Sequence, residues 1–310
     1  MNAHATVAEP TILDGPEQRF PLSMAPKLPR VRDLFAAATK NQWDPQTDID
    51  WDLLDPAQFS EAQLWGARHY WSRRAWGEYG AISESPALQI RYCLQDYPAD
   101  MRLFFTIRSQ EESRHAEVCY LIAEKLGGYI EKPEAQGYEG SVATHGVRKM
   151  ALDPDVSLEA IIAALVCAAE EIAFDVFKHL IEITPNPVAR QVCQAIMRDE
   201  VRHCAFGWQF MNQRTKEMSP AELEVIRDAV VTMIEKVECN GYHSSWLAPD
   251  SPGARFEIEC DRHTWEAGLG ATVEELEKPI FVESVKRIRR QMRPWGIELP
   301  LFHHPKIGEF

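Results

Sequence analysis

Residues 198–207 read RDEVRHCAFG, and residues 110–119 read QEESRHAEVC. Each contains an acid, then a glutamate, then arginine and histidine: Asp199-Glu200-Val201-Arg202-His203 and Glu111-Glu112-Ser113-Arg114-His115. On an α-helix, side chains three apart share a face. Glu112 therefore points with His115, and Glu200 with His203. The face around the first pair runs Met101, Phe104, Phe105, then Cys119, Ile122 and Leu126. Around the second it runs Cys193, Ile196, Met197, then Cys204 and Gly207. Both pairs interrupt stripes that should be buried.

Two further segments each carry one glutamate in the same position. The stripe Leu64, Ala67, Trp71, Ala75, Ile82 is apolar except for Glu78, and Ala163, Val166, Cys167, Phe174, Phe177, Ile181 is apolar except for Glu170. Glu171 is the rival to Glu170, but its stripe continues into Asp175 and Lys178 and reads as solvent-facing. A buried unpaired carboxylate costs several kcal/mol, and four together also repel one another. Two metal ions remove that cost. Oxygen and imidazole ligands with bridging carboxylates suit iron or manganese. Two glutamates plus two Glu-x-x-His pairs on four helices is the pattern of carboxylate-bridged dimetal bundles. Glu111 and Asp199 stand one turn before the histidines and are expected to accept the imidazole N–H of the histidine on the partner helix.

The remaining chain reads as an all-α protein. Residues 1 to 50 form a proline-rich arm with one helix at VRDLFAAATKNQW, followed by a helical domain over 51–310. Its core bundle spans about 55–215, and extra helices occupy 219–300. A long helix starts at Asp55 with Pro56 and Gln58 and stops at the SESP of 83–86, because proline disfavours helix in the residue before it. A second runs from about Ala99 to Leu126 and ends at Gly127-Gly128. Residues 129 to 153 are a connection. Ser157 caps a third helix, TPNP at 184–187 breaks it, and a fourth runs from about Val188 past Phe210. Ser219 and Glu222 open a fifth, reaching about Cys239. A loop with Pro249 and Pro252 follows, then a last helix capped by Thr272 and Glu275 and interrupted or kinked near Pro279.

The 310 residues are 45% apolar and 26% charged, with 33 basic against 47 acidic side chains, a net charge of −14. That balance argues against nucleic acid or an anionic membrane as partner. No run approaches the roughly 18 apolar residues of a spanning helix, and the N-terminus lacks the pattern of a secretory signal. The seven cysteines are odd in number and form no C-x-x-C, which fits reduced thiols in a cytoplasmic protein.

The segments GEYGAIS around Glu78, EESRHAEVCY, EEIAFDVFK and DEVRHCAFG resemble those of the ferritin-like di-iron carboxylate proteins, in the oxygenase rather than the iron-storage branch. GEYGAIS is similar to the first-helix ligand segment of bacterial multicomponent monooxygenase hydroxylases. The two R-H segments also resemble those of stand-alone oxygenases, and the C-terminal AGLGATVEELEKP is similar to their last helices. The resemblance covers about residues 60 to 210. It implies a ferritin-like four-helix bundle with two irons, manganese being possible, held by Glu78, Glu112, His115, Glu170, Glu200 and His203.

It further implies a non-haem di-iron oxygenase that uses O2 to hydroxylate or epoxidise a small organic substrate. No flavin or iron–sulfur segment is present, so an external reductase or ferredoxin would supply electrons. Relatives often form homodimers. Arylamine N-oxygenases carry an extra histidine one turn before the last Glu-x-x-His; here that residue is Ile196, which lowers the N-oxygenase alternative. A non-catalytic or redox metal protein is the alternative of another class. Substrate-pocket candidates on the apolar stripes are Trp71, Ala75, Phe104, Phe105, Cys167, Phe174 and Met197.

Overall fold

The computed structural model describes residues 25–131 and 147–310, with side chains at 147–149 left aside. The described residues form an all-α, ferritin-like bundle. The arm contributes α1 (Pro29–Lys40), and the bundle begins with α2 (Glu61–Leu94) and α3 (Ala99–Lys125). After the short α4 (Val147–Leu152), a continuous rod, α5, comprises the turn Leu158–Ile161, the π-helical Ile162–Ala169 and the α-helical Glu170–Ile183. Antiparallel to it runs α6 (Pro187–Arg214). The C-terminal part adds α7 (Pro220–Thr232), α8 (Pro252–Glu266) and α9 (Glu274–Met292), and ends in a two-residue antiparallel pair, β1 (His303–His304) with β2 (Gly308–Glu309). No helix of the described residues is long and apolar enough to cross a membrane.

Several helix ends differ from the sequence expectation. Asp55 caps only a single turn, Pro56–Gln58. The bundle helix starts after Ser60, whose hydroxyl accepts from Gln63 N while the Gln63 side chain returns to Ser60 N. α2 does not stop at residues 83–86 but runs through Pro86 to Leu94. Proline removes one intrahelical bond, yet the flanking Ser85, Leu88 and Tyr92 are fully buried, and that packing outweighs the local preference. Beyond Pro252 the chain is not loop but α8, with Ser251 capping Ala254 N and Pro252 in the first turn. α9 is capped by neither Thr272 nor Glu275; Thr272 lies 3.3 Å from His179 Nε2 instead, and the helix runs through Pro279. Of the expected 129–153 connection, residues 132–146 lie outside the described residues.

Two apolar clusters divide the bundle along its length. One gathers Leu88, Tyr92, Phe104, Phe105, Leu165, Phe206 and Phe210, with Phe104 stacked on Phe206 at 4.4 Å. The other gathers Ala67, Trp71, Val118, Ile122, Val192 and Ile196. The level between them is held by charged side chains. Helices approach closely at Gly207, where an added Cβ would come within 2.7 Å of Val166 Cγ1 on the π-helical segment.

Candidate metal centre

At the middle level, four helices each turn an acidic side chain inward. Glu78 comes from α2, Glu112 and His115 from α3, Glu170 from α5 at the end of its π-helical segment, and Glu200 and His203 from α6. Ligand atoms of Glu78, Glu112, His115 and Glu200 lie within 4.8 Å of one another, as do those of Glu170, Glu200 and His203. Glu200 belongs to both groups. His115 Nδ1 is 3.3 Å from Glu200, 3.5 Å from Glu112 and 3.9 Å from Glu78. His203 Nδ1 is 3.1 Å from Glu200 and 3.4 Å from Glu112. Both imidazoles thus present Nδ1 to the carboxylates.

The opposite nitrogens face acids across the bundle. His203 Nε2 lies 2.9 Å from Glu111 on α3, and His115 Nε2 lies 3.4 Å from Asp199 on α6. Glu111 and Asp199 are fully buried and held by arginines. Arg202 contacts both, and Arg114 reaches Asp199 at 2.9 Å. Trp43, just beyond α1, donates its indole N–H to Asp199 at 2.8 Å, and Gln42 accepts from Arg114. The arm therefore closes one side of the centre.

Burial and neighbouring charge set the protonation of the cluster. Burial opposes charge on His203, but Glu200, with Glu111 and Glu112, pushes its pKa up to about 10. His115 is likewise raised well above its ordinary value by Asp199, Glu112 and Glu200, against burial. Burial pushes Glu78 and Glu170 up to about 7; His115 and Arg108 respectively oppose that rise, while Glu112 and Glu200 reinforce it. Against burial, the histidines hold Glu200 well below the usual carboxylate range, and Arg108 with His115 lowers Glu112. The cluster gathers positive charge wherever it can.

The donor set fits two metal ions. His115 Nδ1 and Nε2 and Glu170 Oε2 are buried without a hydrogen-bond partner, although carboxylates surround the imidazole. Unpaired buried polar atoms are rare in native proteins, and cations between these groups would answer them. Four carboxylates balance two divalent ions in charge, and oxygen with imidazole suits iron or manganese.

Sequence reading missed several residues. Arg108 is buried among Glu84, Ser85, Glu112 and Glu170. Glu84 and Ser85 reach it because α2 continues past its expected stop, which is why they were not anticipated. Arg114 and Arg202 were visible as the repeated arginine before each histidine. Tyr242 and His243, from the connection after α7, line the cavity beside the cluster, and no sequence signal marks them.

That cavity, about 130 Å³, is bordered by Gly77, Ala81, Leu165, Ala169, Ala173 and Phe177 together with Glu78, Glu112, Glu170 and Glu200. None of the seven apolar pocket candidates lines it. Trp71 donates its indole N–H to Leu269 O; Phe104 and Phe105 stack within one apolar cluster and Ala75 and Met197 pack in the other. Cys167 is covered by Gly207, and Phe174 is half-buried away from the cavity lining. Apolar stripes meet neighbouring helices first; the cavity opens where small residues leave room. Glu171 is also not solvent-facing. It is buried, accepting from Trp208 Nε1 and Arg287 Nη2, each at 2.9 Å, because α9 covers that side of α5. Tyr79 and Tyr120 point outward, 58% and 39% exposed.

No protein-family model matches the chain, and no curated protein sequence matches it significantly. Solved structures do match in fold. An R2-like ligand-binding oxidase with an aerobically reconstituted metal cofactor, after photoconversion, aligns with a TM-score of 0.66 and 17% identity, over 84% of this chain and 92% of that one. Two variants of R2-like ligand-binding oxidase with aerobically reconstituted Mn/Fe cofactors align with TM-scores of 0.65 and 0.64. They are 16% and 14% identical to this chain, covering 84% of it and 93% and 92% of theirs. The likeness is one of fold.

Proposed function

We propose that the chain is a non-haem dimetal oxidase of the ferritin-like carboxylate type, an O2-dependent enzyme that oxygenates a small organic substrate. The observation that carries this reading is the middle-level cluster, in which two histidines aim Nδ1 at three carboxylates, Glu78, Glu112 and Glu200, Glu170 joins the group of His203, and Glu200 is common to both groups. Glu78, Glu112, His115 and Glu200 would hold one ion; Glu170, Glu200 and His203 would hold the other. Two iron ions, or manganese with iron, would supply the electrons and open positions for O2 activation.

The chain's own residues prepare the rest. Glu111 accepts the Nε2 proton of His203 at 2.9 Å, and Asp199 faces His115 Nε2 at 3.4 Å, an arrangement that directs both Nδ1 atoms at the carboxylates. Arg114, Arg202 and Trp43 hold those two acids in place. The apolar clusters above and below exclude water, and the adjoining cavity admits a small substrate. Ile196 sits fully buried in apolar packing, which supports oxygenation at carbon over amine N-oxygenation. A separate reductase or ferredoxin would supply the electrons.

The test is O2 uptake by protein loaded anaerobically with ferrous iron. Uptake in proportion to bound iron, abolished in Glu200→Ala, is expected; iron-loaded protein that consumes no O2 contradicts the reading.

A further inference from the structure

Arg108, on α3 one turn before Glu112, is a cation buried inside the cluster, only 2% exposed. Its two Nη atoms face different partners. Nη1 donates to Glu84 Oε1 at 3.1 Å and to the Ser85 hydroxyl, both from α2. Nη2 donates to Glu170 Oε1 and lies 3.1 Å from Glu112 Oε1. A buried guanidinium is costly unless a carboxylate answers it. Glu84, itself buried and outside both candidate ligand groups, is that counter-charge. Glu84 and Arg108 are therefore neutral as a pair, and the four ligand carboxylates are left to balance two divalent ions.

The individual carboxylate oxygens show what Nη2 does. Glu200 turns Oε1 to His115 and Oε2 to His203. Glu112 turns Oε2 to His115 and Oε1 to His203. Each of these two glutamates thus offers an oxygen to either histidine's ion. Glu170 belongs only to the group of His203, and its two oxygens are not alike. Oε1 is taken by Arg108, whereas Oε2 is buried with no hydrogen-bond partner. A hydrogen bond between a guanidinium and a carboxylate is about twice as strong as a neutral one. Glu84 and Ser85 fix the donor by its other nitrogen. An ion between Glu170, Glu200 and His203 therefore meets one free oxygen of Glu170, not two.

We propose that Arg108 is a positioning residue that restricts Glu170 to ligation through Oε2, and so keeps one coordination position of the Glu170–Glu200–His203 ion open to a small molecule. The inference rests on the dimetal reading. Arg108 and Glu170 both border the 130 Å³ cavity, from which such a molecule would arrive. Without Arg108, Glu170 is released to close on its ion with both oxygens, and the open position is lost.

The test uses protein loaded with ferrous iron under argon, its metal content assayed first. The probe is nitric oxide, which needs an open position on ferrous iron. It is neutral, so loss of the Arg108 charge does not by itself alter its attraction to the site. Followed by visible absorption, the wild type should take up one molecule more per centre than Arg108→Met at equal metal content. Arg108→Lys, which keeps a cation and a donor, should recover part of that difference. Crystals of the Mn(II)-loaded protein should show Glu170 bound through Oε2 with Oε1 on Arg108, and bound through both oxygens in Arg108→Met. Equal nitric oxide uptake by wild type and Arg108→Met overturns the proposal. So does a wild-type Glu170 that grips its ion with both oxygens, an outcome that is decisive even if Arg108→Met does not fold. A wild type that takes up no metal contradicts the dimetal reading instead, and the assay of metal content registers that separately.

Discussion

Glu200 is the residue on which both halves of the centre depend. It lies 3.3 Å from His115 and 3.1 Å from His203 and belongs to both candidate ligand groups. Glu200→Ala should therefore abolish uptake of both ions, whereas Glu78→Ala and Glu170→Ala should each weaken one; metal content after desalting checks this. Asp199→Asn leaves His115 Nε2 facing an amide rather than a carboxylate, and should weaken metal binding about 10- to 100-fold in a competition titration with a chelator.

The same residues set a pH dependence for the metal-free chain. Glu78 and Glu170 have pKa values near 7 in the fold against 4.5 when free, so unfolding releases protons between those values and stability falls as pH rises through them. His203 is raised from 6.5 to about 10, so its contribution is complete below about pH 6.5 and is lost as pH rises towards 10. Glu200 and Glu112 act in the opposite sense, losing their contribution as pH falls through their lowered values. Metal-free protein should thus lose melting temperature steadily from about pH 5 to pH 10. Metal-loaded protein, in which ions replace those protons, should lose much less between pH 6 and 8. Parallel curves for the two forms over that interval contradict the assignment.

At the scale of the element, the π-helical Ile162–Ala169 and Gly207 form the tightest contact beside the centre. Gly207→Val drives a branched side chain into Val166 and should lower stability by about 1–3 kcal/mol, read from chemical denaturation. An unchanged midpoint would show that the segment yields without cost. Pro86 offers the reverse case. Its ring interrupts an otherwise continuous α2, so Pro86→Ala restores an intrahelical donor and should leave stability unchanged or raised. If the proline is instead needed to aim Glu84 and Ser85 at Arg108, the variant will lose stability.

These elements also show what was legible in the sequence. The Glu-x-x-His pairs and the lone glutamates at 78 and 170 could be placed on inward faces because helical periodicity is local and the apolar stripes are long. The pairing of Glu111 with His203 and of Asp199 with His115 across helices was likewise accessible, since the two segments repeat one pattern. The continuation of α2 was not, because tertiary burial around Pro86 overrode a local breaker. α8 was obscured by reading Pro252 as loop, although Ser251 before a first-turn proline is a helix-start signal.

At the scale of the whole molecule, the fold places a charged layer between two apolar clusters and covers it on two sides from outside the bundle. Trp43 and Gln42 close one side from the arm, and Arg287 from α9 secures Glu171 on another. Which surfaces meet in this way depends on contacts between distant segments. For that reason the apolar stripes indicated a core but not the cavity, whose walls include Tyr242 and His243 from a connection without helical periodicity.

The most direct measurement is the metal content of the purified chain after anaerobic incubation with ferrous iron and desalting. Two ions per folded chain, falling to none in Glu200→Ala, is the predicted result. A folded wild-type chain that retains less than one ion would contradict the dimetal centre.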